Sequence, residues 1–270
     1  MVKHTYYHRG LRMSHPSMGQ RVHAVIALPI LSIVVLAVLL KFFLAAPAAT
    51  PEVLSYTDLA RALAATFSRI LLAYLLALAV GIPLVIAIHK NSLIERILLP
   101  FFDIVQSVPV LAFFPIIILL FIRYDFLNGA AIFIIFLSMV WNIVFNVVGG
   151  LKTIPGEIIS AAHVYRIRGF TFVRQILLPA VFPHIVIGSL LAWAQGWNII
   201  IVAEVLHTYI PGGNSAQDLF GIGSVLVNAA SSAHHSVFIA AIGCIIAAIA
   251  IMNFFVWQKL LRYAETFRFE

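Results

Sequence analysis

The chain has 270 residues, 63% of them hydrophobic and only 10% charged, where soluble domains carry about 25% charged residues. A water-soluble core could not hide so much apolar surface, so a soluble globular protein is excluded and an integral membrane protein remains. The net charge of +7 comes from basic residues in short connections between apolar stretches, the topological bias of membrane proteins rather than a nucleic-acid footprint.

Lys3, Arg9, Arg12 and Arg21 make residues 1–21 a basic tail. The apolar stretch 22–44 is long enough to cross a bilayer and longer than the apolar region of a secretory signal, so it reads as a retained first span. Further spans are expected at 62–88, 97–122, 128–149, 177–207 and 234–258, giving six in all. The second and fifth are long, which predicts tilt or an end protruding into water. The basic segments, namely the first tail, Lys90 with Arg96, Lys152 to Arg174, and Lys259 with Arg262 and Arg268, alternate with connections holding Glu52 and Asp58, Arg123 and Asp125, and Asp218. Six spans put every basic segment on one side, with both termini in the cytoplasm. The expected organisation is a single membrane domain, 22–262, between tails 1–21 and 263–270.

Polar residues inside spans are costly and mark function or interhelical hydrogen bonding. Gln106 and Ser107 precede Pro109 in the third span, where a kink is expected. Asn142 and Asn146, four apart beside Trp141, share a face of the fourth. Gln195 and Asn198 cluster in the fifth span, and Glu204 comes late in it. These seven are the candidate translocation path. Glu204 could instead hold the outer connection or sit solvated near the outer interface. Arg69, early in the second span, either attracts an anion or snorkels to headgroups. The outer connection 208–233 holds Pro211-Gly-Gly213 and Gly221-Ile-Gly223; it reads equally as a short helix dipping into the membrane or as a surface loop.

The inner segment 151–176 is too polar to span. Thr153-Ile-Pro155 breaks the preceding helix. Glu157 then suits the first turn of a new helix, in which Ile158, Ala161, Ala162 and Tyr165 recur at helical spacing. Gly169 is expected to end it. The small residues let another surface approach closely, and Arg166 and Arg168 offer charge to an acidic rim. An amphipathic helix resting on lipid headgroups is the other reading of the same pattern.

The lone Cys244 lies in an apolar span, so no disulfide within the chain and no thiolate metal site is expected. His234 and His235 are adjacent and point in different directions on a helix, and His4 and His8 lie in the tail, so no metal site is expected there either. No Ser/His/Asp or paired-carboxylate arrangement suggests catalysis.

Ser160-Ala-Ala162, then Gly169, then Ile176-Leu-Leu-Pro179-Ala-Val-Phe-Pro183 resembles the cytoplasmic loop of importer-type ABC transporter permeases. Thr66-Phe-Ser-Arg69, Ser107-Val-Pro109, Phe145 to Pro155 and Val202-Ala-Glu204 with Gly221-Ile-Gly223 resemble the nitrate/sulfonate/taurine branch. Counted back from Pro179, Ser160 stands where that family has glutamate, and Arg166 where it has its first glycine. The resemblance implies a type I permease fold with an ATPase-coupling helix formed by Glu157, Ser160, Ala161, Ala162, Tyr165, Arg166, Arg168 and Gly169. It implies cytoplasmic ATP-binding subunits, a second permease subunit and an extracytoplasmic solute-binding protein as partners, and a cell-membrane location. The cargo implied is a small anion such as nitrate, sulfonate, taurine or bicarbonate. The chain has no phosphate-binding loop, and Gly149-Gly-Leu-Lys-Thr153 is a near miss with the wrong spacing. ATP and magnesium are therefore expected on the partner, no cofactor on this chain. An ion-gradient-driven secondary transporter would want deep acids and an internal repeat, and a non-transporting membrane scaffold would use the inner helix only as a dock.

Overall fold

The computed structural model describes residues 56–89, 92–210, 212–213 and 217–267, all within the unit Ala49–Glu270. The expected span 22–44 and the tail 1–21 lie outside the described residues. Among the described residues every regular element is helical. In chain order they are α1 (Tyr56–His89), α2 (Ser92–Ser107), α3 (Phe114–Ile122) after a 3₁₀ turn at Val110–Phe113, α4 (Leu127–Lys152), α5 (Gly156–Val164), α6 (Gly169–Glu204), α7 (Ile222–Ser231) and α8 (His235–Glu265).

Among the described residues α1, α4, α6 and α8 are each long and apolar enough to cross a membrane, and α2 with Val110–Ile122 makes a fifth candidate bent by 82°. The bend follows from chemistry at one point. Pro109 offers no N–H to continue the helix, and its extended ψ of 123° redirects the chain. With 34 residues, α1 runs about 51 Å at 1.5 Å per residue, well beyond a hydrocarbon core of about 30 Å. The expected fifth span is longer than the sequence suggests: α6 begins at Gly169 and carries one wide turn at Val173–Leu177, closed by Leu178 N–H on the Val173 carbonyl. Pro179 follows directly and has no N–H for the carbonyl of Gln175, so a local adjustment of the ladder is expected there.

Lipid tails are as apolar as leucine, so helices here associate by close packing rather than by escape from water. The centre is α4, with α1 against one side and α6 against another. Gly188 of α6 lets the two backbones meet: a Cβ there would lie 3.0 Å from the Asn142 carbonyl oxygen and 3.2 Å from the Ile143 Cα. α8 is held by an aromatic cluster, with ring centroids 5.7 Å apart for Tyr74–Trp193 and 6.1 Å for Trp193–Trp257. Leu72, Leu75 and Leu76 of α1 and Ile246, Ile249 and Ile251 of α8 stay exposed, as side chains facing lipid would.

The two ends of the bundle differ. At one, Glu95 of α2 meets His89 of α1 at 3.6 Å and Lys152 of α4 at 3.9 Å. Phe182, near the start of α6, meets Tyr263 and Phe267 at the end of α8 at 5.8 and 5.1 Å. α5 caps this basic end. At the other end lie the α6–α7 connection and α7 itself, so the connection 208–233 contains a helix, with Ile222, Gly223, Ser224 and Val225 buried. Gly188→Leu is expected to destabilise the protein by about 2 kcal/mol or more through overpacking of α4 on α6, read as a lower melting temperature in detergent with reduced membrane accumulation.

Candidate functional site

The inner segment takes its shape from its helix ends. Thr153 donates its hydroxyl to the Gly150 carbonyl at 2.8 Å as α4 closes. Pro155 is extended and α5 starts at Gly156, with Glu157 in its first turn. α5 then ends earlier than the sequence suggests. Arg166 N–H bonds to the His163 carbonyl at 3.1 Å and Ile167 N–H to the Ala162 carbonyl at 2.9 Å, with Arg166 at φ +54°. This is the paired closing motif of a helix with a left-handed residue just past its end. The closing residue is Arg166, the position where the family has glycine. Gly169, expected to end this helix, instead opens α6 at φ +63°.

Ser160, Ala161, His163, Tyr165, Arg166, Arg168 and Gly169 are exposed, as is Glu157, whereas Ala162 is only 2% exposed and faces the chain's own packing. A partner would therefore meet Ser160 and Ala161, not Ala162. Val164, Tyr165 and Phe170 are 78–80% exposed, an apolar cluster among arginines.

The break between α2 and α3 opens a cavity of about 360 Å³ against α4 and α6. Gln106, Asn142 and Gln195, named from three separate spans, line it together, with Ser138, Trp141 and the turn at Pro109. The other four go elsewhere. Ser107 donates to the Asp103 carbonyl at 2.7 Å. Asn146 donates to the Asn142 carbonyl at 2.7 Å, one turn along α4. Asn198 lies in a second groove, between α6 and α8, with Trp197 and Asn253. Glu204 lies in a closed polar cluster.

In that cluster Arg69 neither snorkels nor faces a cavity. Its Nη1 donates to Glu204 Oε1 at 2.7 Å, its Nε to Asn128 Oδ1 at 2.9 Å and its Nη2 to the Phe220 carbonyl at 2.9 Å. Glu204 is fully buried and also accepts from Thr66 Oγ1 at 2.6 Å and from Gly223 N–H at 2.7 Å. Thr66 Oγ1 in turn accepts Ile222 N–H at 2.9 Å. A Cβ at Gly221 would land on the Glu204 carboxylate, so only glycine lets α7 approach this closely. Glu204 thus holds the outer connection rather than sitting solvated. The i, i+3 spacing of Thr66 and Arg69 on one face of α1 is the sequence signal for this pairing. Asp103 was not a candidate from sequence, though it accepts Gln106 Nε2 at 2.8 Å. Its signal was an acid three residues before Gln106, ahead of the proline break.

Residues 79–261 match the family described as binding-protein-dependent transport system inner membrane component. The nitrate import permease protein NrtB of Leptolyngbya laminosa is 33% identical over 162 residues, 60% of this chain and 57% of that protein. The bicarbonate transport system permease protein CmpB of Synechocystis sp. is 34% identical over 148 residues, 55% and 52% of the two chains. The taurine transport system permease protein TauC of Escherichia coli is 27% identical over 144 residues, 53% and 51%. The match thus spans about half the length of these curated relatives.

Two outcomes are expected from these contacts. Arg69→Met should destabilise the fold by about 3–5 kcal/mol by stranding the buried Glu204 carboxylate; Arg69→Met with Glu204→Gln should recover much of that, and melting curves of both variants check it. Arg166→Gly should raise stability by about 1 kcal/mol, because glycine takes the left-handed conformation without a Cβ penalty.

Proposed function

We propose that this chain, which belongs to the family of binding-protein-dependent transport system inner membrane components, is the permease subunit of an ATP-driven importer for a small solute. The observation that carries the reading is α5. It projects at the basic end of the bundle and is joined through short turns to two spanning helices, α4 and α6. It presents Ser160, Ala161, Tyr165, Arg166 and Arg168 outward. A surface so placed suits a soluble ATPase subunit: the small residues admit close contact, the aromatic ring gives an anchor and the arginines match an acidic rim. Force applied to α5 reaches α4 and α6 directly, and these are the two helices most closely packed through Gly188. That is the requirement for coupling ATP hydrolysis at one site to access at another.

In this reading the basic end faces the cytoplasm, as loop charge dictates, and six spans with both termini inside make a type I permease in the cell membrane. Two ATP-binding subunits, a second permease subunit and an extracytoplasmic solute-binding protein complete the importer. The chain itself does not hydrolyse ATP, having no phosphate-binding loop. The translocation path runs past Gln106, Asn142 and Gln195 at the helix break, with Ser107, Asn146 and Asn198 on neighbouring turns. The cargo is of the small-anion class suggested by the relatives' names.

Purification of the tagged chain in mild detergent is expected to bring an ATP-binding subunit with it, and uptake by the reconstituted complex should stop when that subunit loses its hydrolytic glutamate. Tyr165→Glu is expected to cut ATPase recovery at least tenfold while leaving a monodisperse membrane subunit. Solute movement by the isolated chain in vesicles, powered by an ion gradient alone, would overturn the reading.

A further inference from the structure

The cavity at the helix break has a polarity that a simple anion path would not have. Among the described residues no lysine or arginine lines it. Its carboxamides are also turned in a definite sense. Gln106 directs its Nε2 to Asp103 Oδ1 at 2.8 Å, and Asn142 directs its Nδ2 to the Ser138 carbonyl at 3.2 Å. Both partners only accept, so in each amide the nitrogen is the atom engaged. Gln106 Oε1 and Asn142 Oδ1 are then left without a partner among the described residues, each on a residue that lines the cavity. Asp103 adds a carboxylate one hydrogen bond behind the wall. Trp141, held against Phe102 at 5.3 Å between centroids, adds an indole. Two amide oxygens, a carboxylate and an indole face form an environment for an ammonium group. Gln195 is oriented the other way: its Oε1 accepts the weak 3.5 Å contact from Asn198, so its Nε2 protons are free to meet an acceptor.

We infer that this cavity is a binding site for a small zwitterion, whose ammonium group sits against Gln106 Oε1, Asn142 Oδ1 and Trp141 near Asp103, and whose oxyanion group is met by Gln195. A bare inorganic anion would enter a cavity with no fixed positive charge and a carboxylate close behind its wall, and would be disfavoured. The inference rests on the permease reading and narrows its solute class from small anions to those that also carry an amine.

The test uses the importer complex in lipid nanodiscs and two probes that differ only in the ammonium group, taurine and ethanesulfonate, with binding measured by calorimetry. The wild-type complex is expected to bind taurine at least tenfold more tightly than ethanesulfonate. Asp103→Asn should weaken taurine at least tenfold and leave ethanesulfonate unchanged. Gln106→Arg should reverse the preference. Equal binding of the two probes by wild type, tighter ethanesulfonate, no binding of either, or an undiminished taurine preference in Asp103→Asn would each overturn the inference. The wild-type comparison and Gln106→Arg decide the matter even if Asp103→Asn fails to fold. A complex that retains its ATPase and couples ATP to uptake but fails the probe comparison sinks only this inference. Absence of any ATPase partner sinks the permease reading instead, and the probe comparison is then run on the chain alone.

Discussion

Arg69 and Glu204 meet at 2.7 Å where water is scarce, and neither could stay charged there alone. In a hydrocarbon environment an unmatched charge or backbone amide costs several kcal/mol, so the pair recruits every donor and acceptor within reach. Thr66, Asn128, the Phe220 carbonyl and the Gly223 amide are all drawn in. Through them one carboxylate fixes the outer ends of α1 and α6, the start of α4 and the first turn of α7. The remainder of that end, including His207 against Asp218 at 2.8 Å, is arranged around this cluster.

With the outer end fastened in this way, movement must be accommodated elsewhere. The ladder of α6 is disturbed by the wide turn at Val173–Leu177, immediately before Pro179 and next to the basic end. α8 carries a similar wide turn at Asn253–Trp257. The α2–α3 unit is broken at Pro109. These are the places where the backbone departs from regular helix, and they lie between the fastened outer cluster and α5. A push on α5 would therefore meet a rigid α4–α6 pair, whose contact at Gly188 allows no side chain between the backbones, with adjustable turns around it. The cavity lined by Gln106, Asn142 and Gln195 sits at one of those turns.

The coupling helix departs from its family in a way that geometry clarifies. Its closing residue adopts φ +54°, the conformation for which glycine is suited, yet carries an arginine. The backbone motif is kept at a modest conformational cost, and a long cation gains a fixed position beside Tyr165 on the exposed face. Ser160 replaces an acid on that same face. Both changes make the surface more positive than the family pattern, so its matching partner surface should be correspondingly more acidic.

Composition alone determined that this is a membrane protein, because 63% hydrophobic residues cannot be buried in a chain of this length. Span positions, the proline break at Pro109 and the helix after Pro155 were also legible, since hydropathy and missing N–H groups act locally. Three polar residues from different spans, Gln106, Asn142 and Gln195, were legible as path candidates for the same reason: an amide in a span stands out. What only the tertiary structure decided is which polar groups face one another. Glu204 looked as if it could be solvated and Arg69 as if it could reach headgroups, but their partners lie 135 residues apart in the chain. Ala162 looked like a contact residue, yet helix rotation turns it inward. The end of α5 fell at Arg166 rather than Gly169 because the hydrogen bonds of Ile167 and Arg166 fix the closing turn, and no residue preference for glycine overrides them. Partners brought together by packing over long sequence separations leave no periodic signal, and that is the physical reason the chain could be read for its elements but not for their pairing.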